Sequence, residues 1–379
     1  MKKNFPSLTV VGLVLISVLA ACVSSTPAVA PHVLTSLPPS PMPSAMPSSP
    51  VPPPTLLPSV VPVFTQPPYS TPTPVPVSQL QGEWNRYTTA DGFCSDSPVL
   101  FGRTLIGTGT TTLCFFGKGE WSSIVAPQGT VVTSARSFPP GGGLEVATDV
   151  GICYRAFQEW RCETQADGFP YKGVREIANI NEVPVYMLAD SVVFRENIYR
   201  IPEIVGAVEA IPTRIAISDG YYGEKYLPRE IWVGTNGYGI VVIRPDTGAI
   251  TRYTTQDGLP GDEIRDISTE HCPRYCDYRD VWVATDQGIA HWDGSIWKTY
   301  RVEDGLPSND VRGVSSWWRN LVWTATEAGA AYFDGQSWKV YNHENGFPEG
   351  DLTGVVWFGD EIMFSTRNSG LLVFTLKNR

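Results

Sequence analysis

A short motif recurs along most of this chain: a small residue followed by threonine, at the end of a run rich in β-branched and aromatic residues. An eroded copy, Ala189-Asp190, falls where the wide gap in the series needs one, and the seven copies then lie 40 to 50 residues apart. The six full copies are Gly107-Thr108, Ala147-Thr148, Gly234-Thr235, Ala284-Thr285, Ala325-Thr326 and Ser365-Thr366. This period predicts seven repeating structural units.

Each unit contains four short runs with the composition of β-strands, separated by Gly, Asn and Asp turn signals. The sixth unit shows them clearly, at 311–314, 322–326, 330–333 and 338–341. Four-stranded sheets repeated around a central channel form a β-propeller. The sequence therefore predicts an all-β fold, a seven-bladed β-propeller of four-stranded blades.

The residue types fit the wedge shape of a blade. A small residue is expected where the blades converge on the channel, because a bulky side chain would collide there. The fourth strand carries large aromatic residues that can fill the wider outer gap between blades: Trp84 and Tyr87, Trp297 and Tyr300, Trp338 and Tyr341.

Closure of the ring follows from the two ends of the repeat. The last unit supplies three strands, at 352–358, 361–366 and 371–376, whereas Glu83–Tyr87 is a fourth strand with no first three. Pairing them completes the seventh blade and removes two exposed edges. The Asp-Gly turns and the loops after each threonine should then share one face, with the linker and the C-terminus on the other.

The N-terminus resembles the signal peptide of bacterial lipoprotein precursors. Lys2 and Lys3 precede an apolar run at 10–21 that is too short to favour a membrane span, and the run ends in Leu19-Ala20-Ala21-Cys22. The resemblance implies removal of residues 1–21 and acylation of Cys22, which two or three acyl chains would anchor stably. The alternative is an ordinary secretory peptide with a chance cysteine. Either way the protein is exported, and the lipoprotein interpretation places it in the cell envelope.

Residues 22–82 form a Pro/Ser/Thr-rich linker behind the anchor. From Val23 to Gly82 there is no Asp, Glu, Lys or Arg, so the segment cannot bury enough apolar surface to fold. Proline favours extended polyproline II, which predicts a disordered, semi-rigid stalk. A ligand for proline-recognition domains is the alternative. The propeller itself is assigned to residues 83–379.

Net charge excludes one class of partner. The formal charge is −10, and removing Lys2 and Lys3 with the signal peptide leaves about −12. Such a chain is not expected to bind nucleic acid or an anionic membrane surface. Its contact with the membrane is expected through the lipid anchor alone.

The repeat also resembles a known family. The order aromatic–x–x–Tyr, Asp-Gly-Leu-Pro, a short strand, Trp-Val-(Gly/Ala)-Thr and Gly-Ile is similar to the two-component regulator propeller repeat. The match is strong over 231–358, with Asp257-Gly258-Leu259-Pro260 and Asp304-Gly305-Leu306-Pro307 complete, and partial at Asp91-Gly92-Phe93 and Asp167-Gly168-Phe169-Pro170. The resemblance implies a sensing or binding propeller outside the cytoplasm. The sequence has no kinase or receiver domain, so the family's signalling output is not expected.

The repeat turns are the first candidate site. Asp91, Asp167, Asp257 and Asp304 could form a ring of carboxylates on one face. The structural interpretation is simpler, because in such a turn Asp caps its own turn, Gly supplies a positive φ and Pro fixes the exit. A calcium role is not indicated, since no Asp-x-Asp-x-Asp-Gly loop is present, and no metal or other cofactor is expected.

Trp317 and Trp318 are candidate contact aromatics, in a loop between the first and second strands of the sixth blade. They could stack on a sugar or on a protein partner. Alternatively, one of them covers the end of the blade. The sequence does not favour either interpretation.

Six cysteines remain once Cys22 is acylated, an even number for an oxidising compartment. The possible disulfides are Cys272–Cys276 within an inserted loop, Cys153–Cys162 across a hairpin and, from the remaining pair, Cys94–Cys114. His271 beside the first pair makes a metal site an alternative there, although three ligands in one tight loop form a weak motif.

No linear catalytic motif is present: the sequence has no Gly-x-Ser-x-Gly, His-Glu-x-x-His or phosphate-binding glycine loop. We therefore expect no catalytic residue and a binding, sensing or protein-interaction module, with an unknown protein or glycan as its partner. The alternative is a propeller enzyme of the lyase or glycosidase type acting on extracellular polysaccharide, since propeller enzymes draw residues from many blades. A purely structural spacer is a third interpretation.

Overall fold

The computed structural model describes residues 81–101, 105–107, 112–117, 120–138, 143–156, 159–180, 183–218, 221–222, 225–226, 229–269, 280–317, 321–345, 347 and 351–377. Within these residues the chain forms seven four-stranded antiparallel sheets around a common centre. This confirms the predicted all-β, seven-bladed propeller. No helix in this part of the chain is long and apolar enough to cross a membrane.

The first three complete blades each use four consecutive strands. Blade 1 contains β2 (Val99–Phe101), β3 (Leu105–Gly107), β4 (Thr112–Gly117) and β5 (Glu120–Val125). Blade 2 contains β6 (Val132–Phe138), β7 (Gly143–Thr148), β8 (Gly151–Ala156) and β9 (Glu159–Thr164). Blade 3 contains β10 (Glu176–Ile180), β11 (Val183–Met187), β12 (Ser191–Phe194) and β13 (Asn197–Arg200). A short helix, α1 (Ile201–Val205), leads out of blade 3.

Blade 4 is interrupted by a small hairpin that the sequence did not reveal, β15 (Tyr221–Tyr222) with β16 (Lys225–Tyr226). Its own strands are β14 (Pro212–Ser218), β17 (Glu230–Thr235), β18 (Ile240–Arg244) and β19 (Ala249–Tyr253). Blade 5 contains β20 (Ile264–Thr269), β21 (Val281–Thr285), β22 (Gly288–Trp292) and β23 (Trp297–Tyr300). Blade 6 contains β24 (Val311–Trp317), β25 (Leu321–Thr326), β26 (Gly329–Phe333) and β27 (Trp338–Tyr341).

Blade 7 closes the ring with strands from both ends of the described chain. Its first three strands are β28 (Leu352–Phe358), β29 (Glu361–Thr366) and β30 (Leu371–Lys377), and its fourth is β1 (Gln81–Tyr87). β1 and β30 pair antiparallel from Gln81↔Lys377 to Tyr87↔Leu371. The predicted closure is confirmed, and the strand begins slightly earlier than expected.

A hydrogen bond that recurs from blade to blade explains why the motif contains threonine. In five blades the hydroxyl at the end of the second strand donates to a carbonyl at the start of the third, at 2.6–2.9 Å, from Thr148, Thr235, Thr285, Thr326 and Thr366. The accepting glycine is needed too: at Gly370 φ is 81°, and a side chain there would collide with the carbonyl oxygen of Tyr87. The small residue before threonine meets the next blade, because a methyl group added at Gly234 would lie 2.5 Å from Ile264 Cγ2.

The eroded copy of the motif needs a correction. β11 ends at Met187, so Ala189-Asp190 lies beyond the second strand of blade 3. The amide of Leu188 donates to Ser191 O at 2.8 Å, as the amide of Thr366 donates to Gly370 O in blade 7. Leu188 therefore takes the threonine position. The predicted position was wrong because leucine keeps the backbone hydrogen bond but lacks the hydroxyl by which the motif is recognised in the other blades.

Fourth-strand tryptophans pack against the preceding blade, as their position in the wide outer gap suggested. Trp297 lies 5.6 Å from Tyr253 and 6.2 Å from Trp232, while Trp338 lies 5.7 Å from Tyr300 and 6.1 Å from Trp282. Edge-to-face contacts dominate these four pairs, a favoured geometry for aromatic rings. Blades 5 and 6 are thus each held to the blade before them by an aromatic cluster.

The closing strand uses the same contact. Trp84 in β1 lies 4.9 Å from Phe347, 6.0 Å from Tyr341 and 6.4 Å from Trp323, the last two in blade 6. We predict that Trp84→Ala lowers the free energy of unfolding by about 3–5 kcal/mol, because a large aromatic side chain is lost from this cluster.

Urea denaturation of the two proteins measures this difference. Asn85→Ala, on the same strand at an exposed position, is the control and should change stability by less than about 0.5 kcal/mol. Equal losses in the two variants would contradict a role for Trp84 in closing the ring.

Candidate functional site: the central channel

The two faces of the propeller are defined by its connections. The turn face carries the Asp-Gly turns and the loops after the second strands, which touch each other: the amide of Gly239 donates to Asp262 O at 2.9 Å. The entry face is opposite and carries Gln81 and Lys377, since β1 runs from there towards Tyr87 and its Asp-Gly turn. The grouping of loops agrees with that expected from the sequence.

A cavity of about 430 Å³ occupies the centre of the ring. Its walls come from the first strands of all seven blades and the residues just before them, chiefly from the halves nearer the turn face, together with Ser365 of the second strand of blade 7. Its ionisable lining residues are Arg175, Glu176, Arg214, Asp266 and Arg312. None of these was selected from the sequence, although four of them lie at recurring positions of the first strand.

A β-bulge at the second position of the first strand recurs in five blades, and it sets these positions. The extra residue is Thr133, Thr213, Arg265, Arg312 or Thr353. In three blades its side chain donates a hydrogen bond to a backbone carbonyl at or just before the start of the first strand of the next blade. The pairs are Thr133 to Val174 O, Thr213 to Ile264 O at 2.8 Å and Arg312 to Leu352 O at 3.2 Å. The bulge thus turns a polar side chain towards the neighbouring blade beside the axis.

The residue after the bulge faces the channel and differs from blade to blade. Aligning the entries of the first strands puts Ser134, Glu176, Arg214, Asp266, Gly313 and Gly354 at this position in blades 2 to 7. Charged residues therefore occupy it in three consecutive blades, 3, 4 and 5. That alignment is the signal by which the sequence could have revealed the site.

Several of these side chains accept a hydrogen bond from the next blade. Glu176 Oε2 accepts from Ile215 N at 2.9 Å, and Asp266 Oδ2 accepts from Val314 N at 3.0 Å. Other first-strand serines do the same: Ser134 Oγ accepts from Ile177 N, and Ser315 Oγ accepts from Trp357 N. These bonds give partners to amides on an edge that no strand covers, so the channel residues have a structural role as well.

Glu176 has the most unusual chemistry of the group. Burial raises the pKa of its carboxyl to about 7, outweighing the opposite effects of Arg214 and of the Ile215 amide, while Asp266 adds to the rise. A carboxyl with that pKa exists in both protonation states near neutral pH. It is therefore the group in the channel best suited to respond to pH or to transfer a proton.

Asp266 and Arg214 form a loose ion pair beside it. Arg214 Nε lies 3.7 Å from Asp266 Oδ1, and the Arg214 side chain is 48% exposed. Burial raises the pKa of Asp266, whereas Arg214 and the amides of Val314 and Ile267 lower it. Both Asp266 oxygens accept backbone bonds, since Oδ1 also receives Ile267 N at 3.0 Å.

On the opposite wall of the cavity, the charged side chain already has partners of opposite charge. Arg312 pairs with Asp310 at 2.9 Å, with Asp351 and with Glu327 at 3.6 Å, and Asp351 also pairs with Arg367 at 2.6 Å. Arg312 keeps a raised pKa through its bonds to Asp351 and Asp310, despite its burial. This network joins blades 6 and 7 at the turn face.

The candidate carboxylates of the repeat turns each face their own turn. Asp257 Oδ2 accepts from Thr254 N at 2.9 Å, and the glycine after it has φ of 112°. The same bond to the residue three positions earlier is made at 2.8–3.1 Å by Asp91, Asp167 and Asp304. None of these four carboxylates lines the cavity.

The candidate aromatics and cysteines lie elsewhere. Trp317 is the last residue of β24, not part of a loop as expected, and it stacks on the buried Trp357 of blade 7 at 5.9 Å. Trp318 lies outside the described residues. The disulfides Cys94–Cys114 and Cys153–Cys162 are both present, the second between directly paired residues of β8 and β9. Cys22, His271, Cys272 and Cys276 also lie outside the described residues.

No protein-family model matches the chain, and no curated protein matches it in sequence. Solved structures do match it. The extracellular domain of the putative hybrid two-component system BT3049 from B. thetaiotaomicron is 17% identical with a TM-score of 0.56; the match covers 77% of this chain and 41% of that one. The chain thus spans less than half of that domain.

Two shorter propeller chains are similar over almost their whole length. Virginiamycin B lyase from Staphylococcus aureus is 12% identical with a TM-score of 0.54, and the match covers 79% of this chain and 100% of that one. YCF48 bound to D1 peptide is 15% identical with a TM-score of 0.53, covering 78% and 97%. At such identities these similarities support the propeller fold and assign no activity.

Glu176 gives a testable dependence of stability on pH. Its pKa is about 7 in the folded protein and near 4.5 ordinarily, so folding stability falls as the pH rises from about 4.5 to about 7. We predict that Glu176→Gln has little effect on the melting temperature below pH 4.5 and raises it by several degrees at pH 8.

Calorimetric melting across this pH range measures the effect. Glu163→Gln, at an exposed position of β9, is the control. A constant difference between Glu176→Gln and the native protein at every pH would show that the carboxyl does not titrate in this range.

Proposed function

We propose that this protein is a lipid-anchored, extracytoplasmic binding module whose ligand or partner meets the turn face at the mouth of the central channel. One observation carries the proposal: the charged channel positions are concentrated in blades 3 to 5, in the half of the channel nearer the turn face. If this position had only a structural role, the same residue would be expected there in every blade. Polar groups that differ from blade to blade are what a specific binding site requires.

The anchor would be Cys22, acylated after removal of residues 1–21, with residues 22–82 as the stalk. The start of β1 and the end of β30 both lie on the entry face, which favours a turn face directed away from the membrane. The resemblance of the repeat to the two-component regulator propeller family supports a sensing role, in which a partner protein would receive the signal.

The lipid anchor is testable by a single substitution. We predict that Cys22→Ser moves the protein from the membrane fraction to the soluble fraction, because thioether acylation of this cysteine is lost. Immunoblotting of fractionated cells measures the distribution. Asn85→Ser, at an exposed position of the propeller, is the control and should stay with the membrane.

The binding face is testable by site-specific photo-crosslinking in intact cells. We predict that a photoreactive residue at Val208, which is 91% exposed on the turn face, captures a partner or a glycan. The same residue at Ile296, 64% exposed in a hairpin of the entry face, is the matched control.

Mass spectrometry of the crosslinked species identifies what is captured. Capture from Val208 and not from Ile296 supports the proposal. Equal capture from both faces, or capture from Ile296 alone, would contradict the assignment of the turn face.

Catalysis on an extracellular polysaccharide is the second candidate, favoured by Glu176, since a carboxyl with a pKa of about 7 suits a general acid or base. We place it second because Asp266, the other channel acid, has both oxygens committed to backbone amides. Release of reducing or unsaturated ends by the purified protein, lost in Glu176→Gln, would reverse this order.

A further inference from the structure

The charges of the cavity are not equally available to a ligand. Arg312 is surrounded by Asp310, Asp351 and Glu327, and Asp266 accepts two backbone bonds while facing Arg214. These groups already have partners. They shape the cavity, but a ligand would have to break existing bonds to use them.

Two guanidinium groups can still donate to a ligand, because one has no side-chain partner and the other is only loosely paired. Arg175 lies at the turn-face end, is exposed, and makes no hydrogen bond or ion pair through its side chain with any residue that the structure describes. Arg214, in the next blade, donates to Thr213 O at 3.1 Å and faces Asp266 only at 3.7 Å. Arginine presents donors in a planar fork that matches a carboxylate. This part of the cavity is therefore suited to an anion.

The remaining walls are rich in hydroxyl groups and contain no aromatic side chain among the described lining residues. The hydroxyls belong to Thr133, Ser134, Ser268, Ser315, Thr353 and Ser365. A ligand here would be held by hydrogen bonds rather than by stacking on its apolar face. The cavity volume, about 430 Å³, is at the small end of the range for ligand sites and fits one sugar-sized molecule.

We propose that the turn-face half of the channel binds a small hydroxylated organic acid, with its carboxylate held by Arg175 and Arg214 and its hydroxyls facing the Ser/Thr-lined wall. This rests on the proposed binding function and names its ligand class. A neutral sugar would leave Arg175 without a partner and Arg214 with only its loose contact to Asp266 and its bond to Thr213 O. A bare inorganic anion would leave the hydroxyl wall unused.

Glu176 makes this binding depend on pH. The groups that face it are Arg214 and the Ile215 amide from β14, Asp266 from β20, and Arg175 beside it. Its carboxyl ionises as the pH rises through about 7 and then places a negative charge beside the bound carboxylate. Affinity for the acid therefore falls between pH 6 and pH 8, and Glu176→Gln removes this fall.

Isothermal titration calorimetry of the full chain tests the proposal, with D-glucuronate as the probe at pH 6. D-glucose, which lacks the carboxylate, and inorganic phosphate, which lacks the hydroxyls, are the comparison ligands. We expect glucuronate to bind and Arg175→Ala to weaken it by about ten- to a hundredfold, the effect of losing a charged hydrogen-bonding group. Arg161→Ala, an exposed arginine on the outer strand β9, should leave the affinity unchanged.

Three outcomes would overturn the ligand class: no binding of glucuronate, equal binding of glucose, or equal binding of phosphate. A loss of affinity in Arg161→Ala as large as that in Arg175→Ala would place the binding outside the channel. The photo-crosslinking at Val208 is independent of these results. Capture there without glucuronate binding would retain the binding module and reject only its proposed ligand.

Discussion

The innermost strand of each blade leaves one edge without a strand partner, and the ring depends on how the amides of that edge are satisfied. The amides of Ile177, Ile215, Val314 and Trp357 each donate to a side chain of the preceding blade. A buried amide left without an acceptor costs about 1–3 kcal/mol, so polar first-strand residues connect successive blades near the axis. The channel is polar for a structural reason before any ligand is considered.

Blade contacts near the axis and at the rim have opposite requirements, and one residue pattern meets both. Near the axis, Gly234 must be small because Ile264 of the next blade lies against it. At the rim, tryptophans such as Trp338 fill the wider gap. Closure adds a covalent element: the turn after β1 carries Cys94, whose disulfide to Cys114 ties the closing segment to blade 1. Blade 7 is thereby held to blade 6 by Trp84 and to blade 1 by the disulfide.

The blade count, the closure and two disulfides could be predicted because their signals are local: turn residues, strand composition and paired cysteines. The blade 3 motif was misplaced because Leu188 keeps only the backbone half of the threonine interaction. The channel residues were missed for a different reason. Glu176 and Asp266 lie near the starts of two different first strands, and the sequence around each is typical of any strand at the edge of a sheet. Only alignment of all the first strands shows that the two residues share one position. Their pKa shifts require the closed ring.

That shared position also explains why a binding site would lie on one side of the channel. At Gly313 an added side-chain carbon would lie 2.8 Å from Gly354 Cα, so at this one position the first strands of blades 6 and 7 approach too closely for a side chain. At the same position in blades 3 to 5 the residues are Glu176, Arg214 and Asp266, and all three line the cavity. Glu176 and Asp266 each accept an amide of the next blade, so a residue that replaces either of them must still provide an acceptor, while the rest of its side chain is free to change. The same ring could therefore accept different ligands.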